Sequence, residues 1–299
     1  MLKAILKKAW RHLPFKLPML LVLRAATKLP KRVYRHLHFH GDFDVQVAPG
    51  ARFRIRSYAD QVENDLFWAG YAKNWERASL AVWRDLCRGA ETVLDIGANT
   101  GVYALTASAL NPGARVIAFE PVQRVCDRLR INAGLNGNRI TVEHVAVSDQ
   151  DGVATLHDTD SEHVYSASLH YRMLSSAYSR SYEVPTIRLD SYCTAHGIGR
   201  VDLVKIDVEL HEPAVFRGFR RMLEESRPTV LVEVLDAEIG KAVAEQISGL
   251  GYAIYEIHEI GTENGIFAAA TLGQAERNYL LCQPDTAKRL GLPEPDLVC

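Results

Sequence analysis

Short apolar runs alternate, from residue 76 onward, with segments whose apolar positions recur at helical spacing. Thr92–Ile96, Arg115–Phe119, 140–147, 203–208, 229–234, Ala253–Ile257 and Asn278–Cys282 read as seven strands rich in Val, Leu and Ile. Between them, Val102–Leu110, 122–135 and 241–250 read as helices, and the stretch between the third and fourth strands reads as a hairpin-like insertion. Strands that are apolar at nearly every position and separated by helices predict an α/β fold with a doubly wound, mostly parallel sheet covered on both faces. Such sheets bind ligands at the carboxyl ends of their strands, where strand order reverses.

The flanks differ in character. Residues 1–75 read as a basic N-terminal helical extension and lead-in, 76–283 as the α/β domain, and 284–299, with Pro284, Pro293 and Pro295, as an irregular tail. Residues 1–41 hold ten of the 35 Lys and Arg residues and none of the 36 Asp and Glu, so a basic arm precedes an acidic body. With 299 residues and 47% hydrophobic positions the chain can build a substantial core, which excludes global disorder. Cys87, Cys126, Cys193, Cys282 and Cys299 are odd in number and show no Cys-x-x-Cys spacing, which argues for a reducing compartment and against a disulfide framework or a zinc site. The longest apolar run, 19–23, is too short for a membrane span and short for a secretory signal, so a cytoplasmic location is expected.

The first strand ends in Val93-Leu94-Asp95-Ile96-Gly97-Ala98-Asn99-Thr100-Gly101, and a helix follows at once. Gly97 permits a tight turn and Gly101 a close approach of backbone to ligand. Loop amides at a helix N-terminus suit a carboxylate or phosphate, while the Asp95 anion suits an ammonium and not a pyrophosphate. A zwitterion such as the methionine end of S-adenosylmethionine matches both. Glu120, nineteen residues after Gly101 at the end of the second strand, is placed to accept both ribose hydroxyls of a nucleoside. Dinucleotide enzymes place an acid in the same way, but their Gly-x-Gly-x-x-Gly is not the Asp-x-Gly-x-Asn-x-Gly present here. An NAD-type oxidoreductase is therefore disfavoured, and a ligand-free tight turn is the plain structural alternative.

From these residues onward the chain resembles the FkbM family of methyltransferases, over about residues 66–282. The stretches that carry the resemblance are Val93 to Gly101 with Phe119-Glu120-Pro121; Asn132 to Asn136 with Ala146-Val147-Ser148-Asp149; Val184 to Tyr192; and Val201-Asp202-Leu203-Val204-Lys205-Ile206-Asp207-Val208-Glu209. The resemblance implies a seven-stranded, Rossmann-like class I methyltransferase fold and methyl transfer from S-adenosylmethionine, usually to a hydroxyl of a sugar, glycan or secondary metabolite. Carried over, Asp95, Gly97, Asn99, Gly101 and Glu120 bind the cofactor; Ala146, Val147 and Asp149 lie near its adenine; and Asp207, Glu209 and Glu212 face the methyl and the acceptor. A non-catalytic module that keeps the fold is the other reading. Members commonly have Gly where this chain has Leu210, so the loop through His211 and Glu212 is expected to follow another path here.

Transfer to a hydroxyl needs positioned substrates and benefits from a base as the proton leaves. Asp207 is the first candidate and His211 the second, a surface histidine at a helix start being the alternative for the latter. Clustered carboxylates could instead hold a divalent metal, the less favoured expectation, or bind Lys205, loop amides or the acceptor. Lys205, inside a strand covered on both faces, is expected to be buried and paired with an acid. Phe67, Trp68, Tyr71 and Trp75 form either a lid or a core-facing helical stripe. Nucleic acid is disfavoured as the acceptor, since no Asn-Pro-Pro-Tyr stretch follows the fourth strand and the body is acidic. The partner is then a small molecule or glycan, and an oligomer is left open. In the arm, Lys3, Lys7, Lys8 and Arg11 flank Leu2, Ile5, Leu6, Ala9 and Trp10 at helical spacing, which fits packing on the domain or peripheral contact of residues 1–41 with an anionic membrane.

Overall fold

The computed structural model describes residues 16–159, 169, 179–259, 265–274 and 276–294. The chain starts with helices α1 (Lys16–Ala26) and α2 (Lys31–Tyr34), a hairpin of β1 (His40–Ala48) and β2 (Ala51–Tyr58), and helices α3 (Gln61–Trp68) and α4 (Arg77–Cys87). Alternation follows through β3 (Thr92–Ile96), α5 (Val102–Leu110), β4 (Arg115–Phe119), α6 (Gln123–Leu135) and β5 (Ile140–Glu143). The short β6 (Ala146–Val147) leads into β7 (Gly152–Thr159) and β8 (Ser179–Ile187), then α7 (Leu189–Ala195), β9 (Leu203–Ile206), α8 (Glu212–Gly218), α9 (Arg220–Ser226) and β10 (Thr229–Glu233). The remainder is α10 (Ala237–Ile247), β11 (Ala253–Ile257), β12 (Ile266–Ala268), β13 (Asn278–Cys282) and α11 (Pro284–Arg289).

The main sheet has the order β12-β11-β13-β10-β9-β3-β4-β5. Pairing is parallel from β10 through β9, β3 and β4 to β5, and β13 inserts antiparallel between β10 and β11. The strands are apolar at nearly every position because both faces are covered. Val93, Val116, Ala118, Leu203 and Leu231 point into one core cluster, and their chain neighbours Leu94, Ile117, Phe119, Val204 and Val232 into the other. From β3 the chain goes to β4 and β5 on one side and later to β9 and β10 on the other, so strand order reverses between β3 and β9, and the crevice opens at their carboxyl ends.

Several boundaries differ from the sequence reading. The sheet has eight strands, not seven, because the three-residue β12, too short to leave a pattern, pairs with the edge of β11. Segment 140–147 is two strands: β5 joins the main sheet, while β6 pairs with β8 of the inserted hairpin. Helix α10 starts earlier than position 241 because the Asp236 side chain accepts the Ile239 amide at 2.9 Å and caps it. The tail is not irregular throughout, since Pro284 begins α11, where a missing N–H costs nothing. The lead-in is not only helical: Phe43, Val45, Phe53 and Ile55 of the β1–β2 hairpin share one core cluster with Leu105 of α5 and Leu129 of α6. The alternation of Phe43, Val45 and Val47 and the Pro49-Gly50 turn were legible signals for that hairpin. Of the aromatics 67–75, Phe67 and Tyr71 are core, Trp68 is partly buried against that core, and Trp75 reaches the crevice. The four cysteines among the described residues are buried and unbridged. Residues 2–11 of the basic arm, with their helical spacing of Lys, Arg and apolar side chains, lie outside the described residues.

Candidate active site

A cavity of about 390 Å³ opens at the carboxyl ends of β3, β4, β9 and β10. It is lined by the turn from Gly97 to Tyr103, by Glu120 and by the Val145–Val147 segment. Trp75, Glu76, Asp207, Glu209, Glu233 and Arg277 line it as well.

The turn is shaped by contacts within the protein. Gly97 has φ 74°, and a Cβ there would lie 1.8 Å from the Asp207 carbonyl oxygen. Gly101 has φ 95°, and its Cβ would lie 2.4 Å from Leu129 Cδ1. Both positions therefore require glycine because β9 and α6 crowd the loop, and approach of a ligand is not needed to explain either. Asn99, also at positive φ, donates its amide to Glu120 Oε2 at 2.9 Å, while Val122 donates to Oε1 at 2.9 Å. Two backbone amides thus hold the Glu120 carboxylate at the cavity wall. Burial pushes Glu120 up to about 7, and these two hydrogen bonds oppose that rise.

Asp95 lines the cavity too, but its Oδ2 accepts the Ala104 amide at 2.8 Å, so part of its charge is committed to the first turn of α5. Burial drives it up to about 7, against the Ala104 hydrogen bond and the attraction of Lys205. It is a weaker fixed anion than the sequence alone suggests. Ala146 and Val147 line the cavity, with Val145 and Leu156 beside them. Asp149 does not: it pairs with Arg217 Nε at 2.9 Å, and is outside the cavity lining.

Lys205 is 1% exposed, and its Nζ lies 3.3 Å from Asp207 Oδ2 and 5.2 Å from the centre of the Tyr103 ring. Burial works against its charge, but Asp207, Glu76, Glu233 and Asp95 together outweigh it and hold Lys205 at about 12. The expected buried, acid-paired lysine is what the fold contains. One carboxylate oxygen from each of Asp207, Glu209 and Glu233 falls within 4.8 Å of the others. Burial raises Glu209 to about 7, with Asp207 adding to the rise. Glu233 is raised further, by burial first, then by the charge of Asp207, to which it also donates a hydrogen bond. Of these acids the sequence reading missed Glu233, although a carboxylate closing the apolar run Val230-Leu231-Val232 sits where parallel sheets build sites. It also missed Glu76, which accepts a hydrogen bond from the Tyr103 hydroxyl and is pushed up to about 7 by burial.

The loop after β9 separates the remaining candidates. His211 lines the cavity with Nε2 3.0 Å from Ser148 Oγ. Glu212 does not reach the cavity lining; it is 0% exposed, and its Oε1 accepts the Val208 amide at 3.3 Å, closing the loop from beneath. Burial pushes Glu212 up to about 8, and its Oε2 has no hydrogen-bond partner, so it is a neutral prop of the loop at neutral pH. Leu210 stays in the left-handed region at φ 76°, with Glu209 at φ 52° before it. The loop thus keeps a glycine-like path, and Leu210 accepts the strain because its side chain is buried.

The methyltransferase FkbM domain profile matches residues 95–265. The 2-O-methyltransferase NoeI of Sinorhizobium fredii is 31% identical over 158 residues, covering 49% of this chain and 64% of that protein, so the match spans less than two thirds of it. The 31-O-demethyl-FK506 methyltransferase FkbM of Streptomyces tacrolimicus is 29% identical over 214 residues, 62% of this chain and 80% of that one. A solved FkbM methyltransferase from Methylobacillus flagellatus superposes with a TM-score of 0.42 at 16% identity, over 75% of this chain and 55% of the other.

Proposed function

Since the chain belongs to the FkbM methyltransferase family, we propose that it transfers a methyl group from S-adenosylmethionine to a hydroxyl of a small-molecule or glycan acceptor. The observation that carries the reading is the meeting, in one cavity, of the amide-anchored Glu120 with the Lys205–Asp207–Glu209–Glu233 group. The donor set fits the cofactor: a rigid carboxylate at the end of β4 for ribose hydroxyls, apolar Val145, Ala146 and Val147 beside it for a purine, and acids facing the cationic end. When bound, S-adenosylmethionine supplies an electrophilic methyl carbon on a positively charged sulfur.

The protein's own part is positioning and proton removal. Asp207, anchored by Lys205 at the edge of the cavity, is the base for the acceptor hydroxyl. Glu233 shares a proton with it, and Glu209, at about 7, is matched to proton exchange near neutral pH. His211 relays through Ser148 or orients the acceptor. Lys205 already supplies a positive charge to the acid cluster, which favours metal-free transfer over a divalent cation. Relatives named for 2-O- and 31-O-methyl transfer support a hydroxyl acceptor.

Calorimetric titration should register binding of S-adenosylmethionine and none of NAD. A mass-spectrometric acceptor screen with isotope-labelled cofactor should then find a labelled hydroxyl product, undiminished after exhaustive chelation. Binding without transfer to any hydroxylated acceptor would leave the non-catalytic module as the reading; binding of NAD instead would overturn both.

A further inference from the structure

Helix α1 has the sequence Lys-Leu-Pro-Met-Leu-Leu-Val-Leu-Arg-Ala-Ala, apolar around almost its whole circumference. Such helices are normally enclosed. Here only one face is. Leu20 is buried, Leu17 and Leu23 pack on the core, and Arg24 lies over the Phe67 ring at 4.9 Å. The other face is in solvent: Met19 is 52%, Leu21 46% and Val22 70% exposed, and Val33 of α2 is 42% exposed. Isolated exposed apolar side chains need no explanation, but a group of them on consecutive helical elements marks a surface built to be covered.

The charges around the patch specify what covers it. Lys28 and Arg32, in the turn after α1 and in α2, are exposed and have no acidic partner among the described residues. Residues 1–41 contain no Asp or Glu at all. The first acids beyond them, Asp42 and Asp44, are neutralised by Arg56 at 2.6 Å and Arg54 at 2.8 Å. Asp65, which reaches α2, is paired with Lys31 at 3.5 Å, so the charges left unpaired beside the apolar side chains, Lys28 and Arg32, are both basic. A second copy would bring the same cations face to face across an isologous contact. The fifteen residues before α1 carry only basic charges and would stack like on like in the same way. An anionic lipid surface accepts the apolar side chains below its headgroups and neutralises the basic residues at that level, while it repels the acidic body.

We propose that the outer face of α1, with Met19, Leu21 and Val22 flanked by Lys28 and Arg32, docks this protein peripherally on an anionic membrane. The contact is interfacial, since among the described residues no helix is long and apolar enough to cross a membrane. Helix α1 rests on Phe67 of α3, and Val62 of the same helix lines the cavity, so docking would hold the cavity near the lipid surface. This inference does not depend on the methyl-transfer reading.

Co-sedimentation of the 299-residue chain with phosphatidylcholine vesicles, with and without phosphatidylglycerol, tests it at low and high salt. The expected result is binding to the anionic vesicles alone, weakened by salt. Val22→Glu and Met19→Glu should each lower partitioning about tenfold or more, and Arg32→Glu about fivefold or more, the equivalent of ~1 kcal/mol per basic residue. All three positions are exposed, so melting temperatures should match the parent, and the measured melts guard against misfolding. Negligible sedimentation of the parent with anionic vesicles at low salt would overturn the proposal. Binding that Val22→Glu leaves intact would overturn it for this face. A concentration-dependent dimer lost in Val22→Glu, without vesicle binding, would assign the patch to a second copy instead.

Discussion

The Glu120 carboxylate is the residue on which the cofactor side of the cavity turns. Two amides fix it, and burial raises its proton affinity, so it stands ready to accept hydrogen bonds from hydroxyls that a nucleoside presents. Glu120→Ala is expected to weaken S-adenosylmethionine binding by about 2–4 kcal/mol, because the ribose loses a charged acceptor and the Asn99 amide loses its anchor. Calorimetry checks it, and unchanged affinity would remove Glu120 from the site. Across the cavity, Asp207→Asn should preserve the fold and cut turnover by about a hundredfold or more, with a smaller change in cofactor affinity. Steady-state rates beside a binding isotherm separate the two effects. Normal turnover would move the base role to Glu209 or His211, both of which line the same cavity.

The elements that hold this site are tied together by side chains from the lead-in. Asn132 of α6 donates to the Thr100 carbonyl at 2.8 Å and accepts the Arg56 amide of β2 at 2.9 Å. Thr100 in turn donates its hydroxyl to the buried Glu63 of α3 at 3.1 Å. The glycine turn is thus braced from β2, α3 and α6 at once. Asn132→Ala should destabilise the protein by about 2–4 kcal/mol, since it leaves a buried carbonyl and a strand amide without their partner. It should also weaken cofactor binding, although the residue lines no part of the cavity. Urea unfolding and a cofactor titration test both parts; a stable variant with weakened binding would show that the brace orders the turn more than it supports the fold.

At the scale of the whole molecule, buried acids dominate the electrostatics. Glu63, Glu76, Asp95, Glu120 and Glu209 are pushed up to about 7 and Glu212 to about 8, in each case chiefly by burial. A carboxyl whose folded proton affinity exceeds its unfolded one stabilises the fold below its ordinary range, and that contribution is lost as pH rises through the folded value. The cofactor-free protein should therefore lose thermal stability between pH about 5 and about 8. Asp42, Asp151 and Asp202 are held below the ordinary carboxylate range by Arg56, by the Arg188 amide, and by Arg200 with the Thr92 and Glu91 amides. Their contribution is present above that range and lost as pH falls, so the stability maximum lies in mildly acidic solution. Thermal melts across pH check the slope, and adding S-adenosylmethionine, whose positive charge favours ionised acids, should flatten its alkaline side. Stability that rises from pH about 5 to about 8 would contradict these assignments.

What the sequence determined by itself was what depends on local patterning. The strand-helix alternation, the Asp95–Gly101 turn, Glu120 at the end of β4, and a buried Lys205 next to Asp207 follow from periodicity, turn chemistry and position within a strand. These are properties of neighbouring residues, and a short window contains them. Only the tertiary structure decided which side chains converge. Glu233 joins Asp207 because β10 lies parallel to β9, and Glu76 joins Tyr103 across a gap of unrelated elements. Asp149 turns to Arg217 and Glu212 sinks beneath the loop, although both are acids a few residues from cavity-lining positions. Gly97 and Gly101 line the cavity, but what forbids a side chain at each is a distant protein neighbour, the Asp207 carbonyl and Leu129. In each case the deciding neighbour is distant in the chain, and burial against it sets charge and direction in a way that no local pattern encodes.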